Sequence, residues 1–201
     1  MKRTIALVGA VLAALTVAAC GGSPENGDTG EQTTLDAPVI TGEPAGYNAD
    51  DVAFATGMVA HHKQAIELST LAGERSADPQ VIALAQQIAA VAQPEINVLN
   101  VFLVQWNENP EVGDPGSRAG HPSTPGTPDE ATTARLRSLR GVEFDRLWLD
   151  SMIDHHRAAV QMAKAQIADG ANVDAIAMAR QMVATAQAEI DQMGQLQKEL
   201  G

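Results

Sequence analysis

Hydrophobic side chains recur every three or four residues along four long stretches of the chain, which is the spacing of an amphipathic α-helix. The sequence lacks runs in which β-branched or aromatic residues alternate with polar ones, as they do in strands. The pattern therefore predicts an all-α protein with a short additional helix in the middle. The predicted helices cover about 49–74, 79–107, 128–140, 142–168 and 173–199.

Polar residues mark where these helices begin. Asn48 and Asn172 precede the first and the last helix as N-caps, and Asp78 stands directly before a proline that suits the first helical turn. Thr127, with Glu130 three residues later, has the form of a capping box for the short helix.

Glycine and proline predict where helices end or bend. Gly141 is expected to end the short helix, and Gly170 follows the end of the fourth. Pro94 lies inside the second helix, where it is predicted to kink the helix or to open its hydrogen bonds locally.

The chain contains an internal repeat at a constant offset of 94 residues. The segment MVAHHK from Met58 aligns with MIDHHR from Met152, and the match continues without gaps into the second helix of each half. Each half is thus a helical hairpin, and two hairpins predict an up-down four-helix bundle plus the short connecting helix. The predicted bundle domain spans 48–201, with repeats at about 48–107 and 142–200 and a connection at 108–141.

The N-terminus has the form of an export signal. Lys2 and Arg3 precede an apolar run at 5–18, which is shorter than the roughly 20 residues that a membrane-spanning helix needs. The run ends in LTVAAC, which resembles the lipobox of bacterial lipoproteins, in which the cysteine is lipidated. We therefore expect a signal peptide at 1–19, lipidation of Cys20, and an acidic tether over the rest of 20–47 that connects a bacterial cell membrane to an extracytoplasmic domain.

Composition excludes several classes of protein. The 201 residues carry a net charge of −12, and only 3% are aromatic, so nucleic acid is not an expected partner. The single cysteine excludes an internal disulfide or a cysteine-based zinc site. The sequence contains no nucleophilic triad motif, phosphate-binding glycine loop or dinucleotide fingerprint, so an enzyme is not expected.

Candidate chemistry concentrates in the repeated histidine pairs. On a helix, His61 and His62 lie on either side of the line through Met58, so one face presents a thioether and up to two imidazoles. The sequence leaves open which histidine of each pair faces inward. The same geometry recurs in the second half with Met152, His155 and His156.

The second helix of each hairpin supplies an acid on an otherwise apolar line. Glu95 and Glu189 occupy these positions, and a carboxylate there is costly unless it is paired or coordinates a metal. Imidazole, thioether and carboxylate are all metal ligands: thioether prefers Cu(I), whereas imidazole also suits Cu(II), Zn and Fe. An acid that does not bind the ion could instead orient a histidine ring.

A structural interpretation of the same residues stays open. Methionines at helical spacing usually fill the core, which is the interpretation we favour for four of them, and His–Glu pairs can form internal hydrogen-bond networks that fix helix register. The four core methionines are Met162, Met178, Met182 and Met193.

Two segments resemble the signature of domain-of-unknown-function family 305. The resemblance covers roughly 48–200 and implies a ferritin-like four-helix bundle that is exported from bacterial cells; some members are implicated in binding copper or silver. It makes the Met-x-x-His-His residues the candidate ligands. The matching segments are Asp51-x-x-Phe54-x-x-x-Met58-x-x-His61-His62-x-x-Ala65 and Phe144-Asp145-x-x-Trp148-Leu149-x-x-Met152-Ile153-x-His155-His156-x-x-Ala159-Val160-x-Met162.

The sequence departs from the family at one point, since Pro125-Gly126 is followed by Thr127 where members often have methionine, which argues against high-capacity copper buffering. The Glu-x-x-His pattern of di-iron proteins is also missing from the helices. The leading hypothesis is a membrane-anchored protein that binds a transition metal, with copper as the favoured ion, for storage, delivery or tolerance. The alternatives are a non-catalytic envelope scaffold and a metal-dependent redox enzyme.

Overall fold

The computed structural model describes residues 46–108 and 126–200, and within these ranges it is helical with no strand. The prediction of an all-α bundle built from two hairpins and a short helix is confirmed. The predicted signal peptide, Cys20, most of the tether and much of the connection lie outside the described residues. The helices are α1 (Ala49–Arg75), α2 (Pro79–Gln105), α3 (Glu130–Ser138), α4 (Gly141–Asp169) and α5 (Val173–Glu199).

The N-caps of three long helices lie where the sequence placed them. The side chain of Asn48 accepts hydrogen bonds from two backbone amides of α1, and Asp51 completes a capping box with it. Asp78 caps α2 ahead of its first-turn proline, and Asn172 caps α5. Through these polar side chains, the local sequence fixes both hairpin turns.

The prediction for the short helix α3 was wrong at both ends. Its N-cap is Asp129, whose carboxylate accepts from the Thr132 amide, because the Thr127 hydroxyl instead donates to the Gln64 side chain at 2.7 Å. Gly141 does not end α3; it is the first residue of α4, with a left-handed φ of +59° that suits glycine. A tertiary contact thus overrides the local capping pattern.

The bundle consists of two antiparallel hairpins joined along one side. α1 packs mainly on α2 and α4 mainly on α5, and the hairpins meet chiefly through α1 and α4, whereas α2 and α5 barely touch. α2 continues as a helix through Pro94. By length and composition, α2 is the one helix in the described ranges that is apolar enough to cross a membrane, a criterion that core helices also meet.

Two hydrophobic clusters fill the bundle and leave a layer between them. One contains Phe144, Trp148 and Leu84, and the other contains Phe54 and Leu99. On each long helix, one half of the buried positions belongs to the first cluster and the other half to the second. The histidine pairs and the two glutamates fall at the changeover on all four helices, so the polar layer lies at mid-height in the bundle.

Two buried aspartates at equivalent positions of the repeats lie at opposite ends of this framework. Asp51 accepts hydrogen bonds from the Gln166 side chain and from the backbone amides of Ala171 (3.0 Å) and Asn172, which ties α1 to the turn between α4 and α5. Burial opposes ionisation of this carboxyl, but the hydrogen bonds from Gln166, Asn48 and the turn outweigh it and lower its pKa.

Asp145 has fewer partners. Burial raises its pKa, the nearby charge of Asp78 raises it further, and a hydrogen bond with Ser76 opposes both effects. Its Oδ1 is buried with no hydrogen-bond partner. The repeat thus places two buried carboxylates at matching positions, one with several hydrogen-bond donors and one with few.

Candidate metal centre

All four histidines of the repeated pairs are buried at the mid-bundle layer. His61 and His155 are 1% exposed, His62 is 9% exposed and His156 is 5% exposed. The sequence left open which member of each pair faces inward, and the structure places both members of each pair inside. This burial is possible because the two rings of a pair point to different partners.

The inner two rings stack on each other. The ring centroids of His61 and His155 are 3.6 Å apart, with 16° between their planes. His61 Nε2 donates to the backbone carbonyl of His155 at 3.1 Å, which leaves Nδ1 as the ring nitrogen with a free lone pair. His61 Nδ1 and His155 Nε2 are both buried with no hydrogen-bond partner, so each stacked ring keeps a nitrogen available to a ligand.

The outer two rings each contact one of the predicted glutamates. His62 Nε2 lies 2.6 Å from Glu95 Oε2, and His156 Nε2 lies 3.0 Å from Glu189 Oε2. His156 Nδ1 also donates to the carbonyl of Met152 at 2.9 Å. Because that carbonyl only accepts, the His156–Glu189 contact requires a second proton, held on either the ring or the acid.

These groups surround one cavity of about 50 Å³. This volume exceeds the space that a single water molecule needs, so it is sufficient for a dehydrated metal ion. Met152, the eighth predicted ligand, does not line the cavity; its side chain packs in the cluster around Trp148. The predicted ligands that line the cavity are Met58, His61, His62, Glu95, His155, His156 and Glu189.

Two further cavity residues, with side chains that could contact an ion, were not proposed as ligands from the sequence. Met182 was predicted to fill the core, which it does, but it also lines the cavity beside Met58. Its position two turns before Glu189 on the inward line of α5 was the available signal. Thr185 lines the cavity as well, and no sequence motif distinguishes it.

The electrostatics of the layer keep the inner rings neutral. Burial, reinforced by repulsion from His62 and His156, lowers the pKa of His61 to about 3, although its hydrogen bond to the His155 carbonyl acts in the opposite direction. Burial, with repulsion from the neighbouring histidines, lowers the pKa of His155 well below its usual value. Neutral imidazole is the form that binds metals, so these rings need not lose a proton first.

The arrangement is not a preassembled coordination shell. Within 46–108 and 126–200, no three histidine or acidic side chains already converge as a metal-binding group. In each His–Glu pair, a proton lies between the ring nitrogen and the carboxylate. Either group could ligate an ion through these atoms only if that proton were displaced.

The lowered pKa of His61 predicts acid sensitivity of the metal-free protein. The unfolded chain takes up the proton near pH 6.5, whereas the folded chain does so only near pH 3, so the unfolded state binds more protons between these values. The free energy of unfolding should fall as pH drops through this window, by up to about 1.4 kcal/mol per pH unit for each such histidine. Urea unfolding at pH 7 and pH 4.5 measures the slope, and an unchanged slope in His61→Leu would contradict this prediction.

Comparison with known proteins agrees with this architecture. The family model "Domain of unknown function (DUF305)" matches residues 51–197. A DUF305 protein from Streptomyces coelicolor, proposed to be secreted, is 31% identical with a TM-score of 0.67, covering 76% of this chain and 94% of that one. A DUF305 fragment from Deinococcus radiodurans is 29% identical with a TM-score of 0.66, covering 78% and 99%.

A third similar structure is CopM in its Cu(II)-bound form, which is 25% identical with a TM-score of 0.64 and covers 75% of this chain and 97% of that one. CopM has also been crystallised with silver. No protein of curated function matches the chain. Since the family model covers most of the sequence and both histidine pairs, the chain belongs to the DUF305 family.

Proposed function

We propose that this protein binds a copper ion in the mid-bundle cavity, as cargo for storage, for delivery or for copper tolerance. The observation that carries the proposal is the pair of buried, neutral imidazoles, His61 and His155, each with an unpartnered ring nitrogen beside the same cavity. Leaving such nitrogens unpaired costs stability, a cost that a bound ion would offset.

The chemistry of the cavity supports copper over other ions. The imidazoles suit Cu(II), whereas the thioethers of Met58 and Met182 suit Cu(I) or Ag(I), so the set accommodates both oxidation states of copper. Glu95 and Glu189 either ligate the ion or orient the outer rings. The copper-bound and silver-bound forms of CopM support the same assignment. Zn and Fe remain the alternative ions.

The proposal extends to the position of the protein in the cell. We propose that Cys20 is lipidated and anchors the bundle to the outer face of a bacterial cell membrane, with the acidic segment before the bundle as a tether. The proposed secretion of the Streptomyces coelicolor relative supports export. We propose no catalytic activity, because nothing in the cavity resembles a nucleophile with its base.

Metal titration of the chain from Gly21 onward tests this function. After removal of metals, we expect one Cu(II) or Ag(I) per chain by equilibrium dialysis, accompanied by a rise in Tm. An ion that binds only the folded state at 100 times its Kd adds about 2.7 kcal/mol of stability.

A structural scaffold is the second candidate, and the two direct His–Glu contacts favour it. In that case Cu(II) and Ag(I) would neither bind nor raise Tm, whereas the double variant His62→Ala/Glu95→Ala would lower it. That combination of results would reject copper binding.

A further inference from the structure

The loosest contact between neighbouring long helices of the bundle, that of α2 with α5, lies directly outside the proposed copper cavity. α2 and α5 barely touch, and the groove between them measures about 340 Å³. Thr185 and Glu189 line both this groove and the inner cavity. These two side chains therefore lie between the groove and the cavity that holds the stacked histidines.

The side chains that line the groove carry oxygen atoms that could bind a cation, and none of them is positively charged. Gln87 on α2 and Gln181 and Gln192 on α5 line it, and the amide of Gln181 donates to the Thr185 hydroxyl at 3.4 Å. Glu189 Oε1 is buried with no partner, although Oε2 of the same carboxylate contacts His156. Amide, hydroxyl and carboxylate oxygens are groups that replace the hydration water of a cation.

Most of the polar lining of this groove comes from α5. At the offset of 94 residues, Thr185 corresponds to Val91. Likewise, Gln192 corresponds to Val98, which is exposed. Gln181 and Glu189 correspond to the polar Gln87 and Glu95, so α2 is apolar at two of the four positions equivalent to the polar lining of α5.

We infer that the metal ion passes between α2 and α5, over Thr185 and Glu189, and exchanges its hydration water for the oxygens of the glutamine-lined groove on the way. This inference rests on the proposed function. Glu189 would then meet the arriving cation through Oε1, which has no partner, because Oε2 is held by the contact with His156.

An obstruction at the mouth of the groove tests the route. Ala184 is exposed and lines the groove, and its repeat equivalent is the exposed Ala90, which does not. In stopped-flow mixing of the chain from Gly21 onward with Cu²⁺, Ala184→Phe should slow uptake, and chelator-driven release, by about tenfold or more. Stoichiometry and Kd should stay unchanged, because an obstruction affects both directions equally. Ala90→Phe is the matched control and should react at the wild-type rate.

A second variant separates polarity from bulk. Thr185→Val removes the hydroxyl at the boundary, keeps the side-chain volume and should also slow uptake. Wild-type rates in both α5 variants, or equal slowing by Ala90→Phe, would overturn the route while leaving copper binding intact. Failure of the wild-type chain to take up Cu²⁺ would overturn the proposed function and the route with it.

Discussion

Replacing His61 and His155 together with leucine is expected to weaken copper binding by more than about 100-fold without lowering the stability of the metal-free protein. The substitution removes two buried rings whose free nitrogens have no partner. Leucine has a similar volume, and each unpaired buried polar atom that it replaces costs about 1–3 kcal/mol. Tm of the metal-free protein should therefore stay equal or rise.

Opposite effects on binding and stability distinguish a binding site from a structural network. Copper affinity is measured by competition with a chelator, and Tm by circular dichroism on the metal-free protein. Ser69→Ala is the control, since Ser69 is also a buried polar residue of α1 with an unpartnered hydroxyl, but it does not line the cavity. A large fall in Tm with unchanged copper affinity would show that the stacked pair is structural.

Replacing Asp51 with alanine is expected to give the largest loss of stability, about 3 kcal/mol, or roughly 10 °C in Tm. The carboxylate accepts from the Gln166 side chain and from the amides of Asn48 and the α4–α5 turn, and alanine leaves these donors unsatisfied. Its folded pKa is lowered, so this stabilisation is present above the unfolded value of about 3.8 and is lost as pH falls through the folded pKa. The difference between wild type and variant should accordingly shrink in acid.

Asp145→Asn provides the matched control at the equivalent position of the other repeat. Because the folded pKa of Asp145 is raised, its ionised form destabilises the fold at neutral pH, and asparagine removes that charge. We expect a gain of about 1 kcal/mol or less near pH 7, which disappears as pH falls toward 4 and the native aspartate becomes protonated. A loss in Asp145→Asn as large as that in Asp51→Ala would contradict the assignment of different environments to the two aspartates.

The architecture could be predicted because its signals are local and occur twice. Asn48, Asp78 and Asn172 cap helices through side-chain bonds within three residues, and the offset of 94 residues revealed the two hairpins. The cap of α3 was mispredicted because the hydroxyl of Thr127 bonds to Gln64, 63 residues earlier in the chain. No local pattern contains that contact.

The candidate centre was predictable as a set of residues but not as a geometry. Helical periodicity directed the histidine pairs toward Glu95 and Glu189, and both His–Glu contacts are present. The stacking of His61 on His155 depends on how the two hairpins slide against each other, which periodicity within one helix does not determine. The same relative placement leaves Met58 at the cavity and Met152 in the core, although the repeat makes them equivalent.

The position of the polar layer between two separate hydrophobic clusters has a consequence for assembly of the fold. Each hairpin contributes one inner ring, one outer ring and one carboxylate, so neither half alone holds a complete donor set. An ion bound there would link the two hairpins across the contact between α1 and α4, and would strengthen a region where apolar packing is interrupted. Loaded and empty molecules should therefore differ most in how readily the two halves separate, and least in how firmly each half is folded.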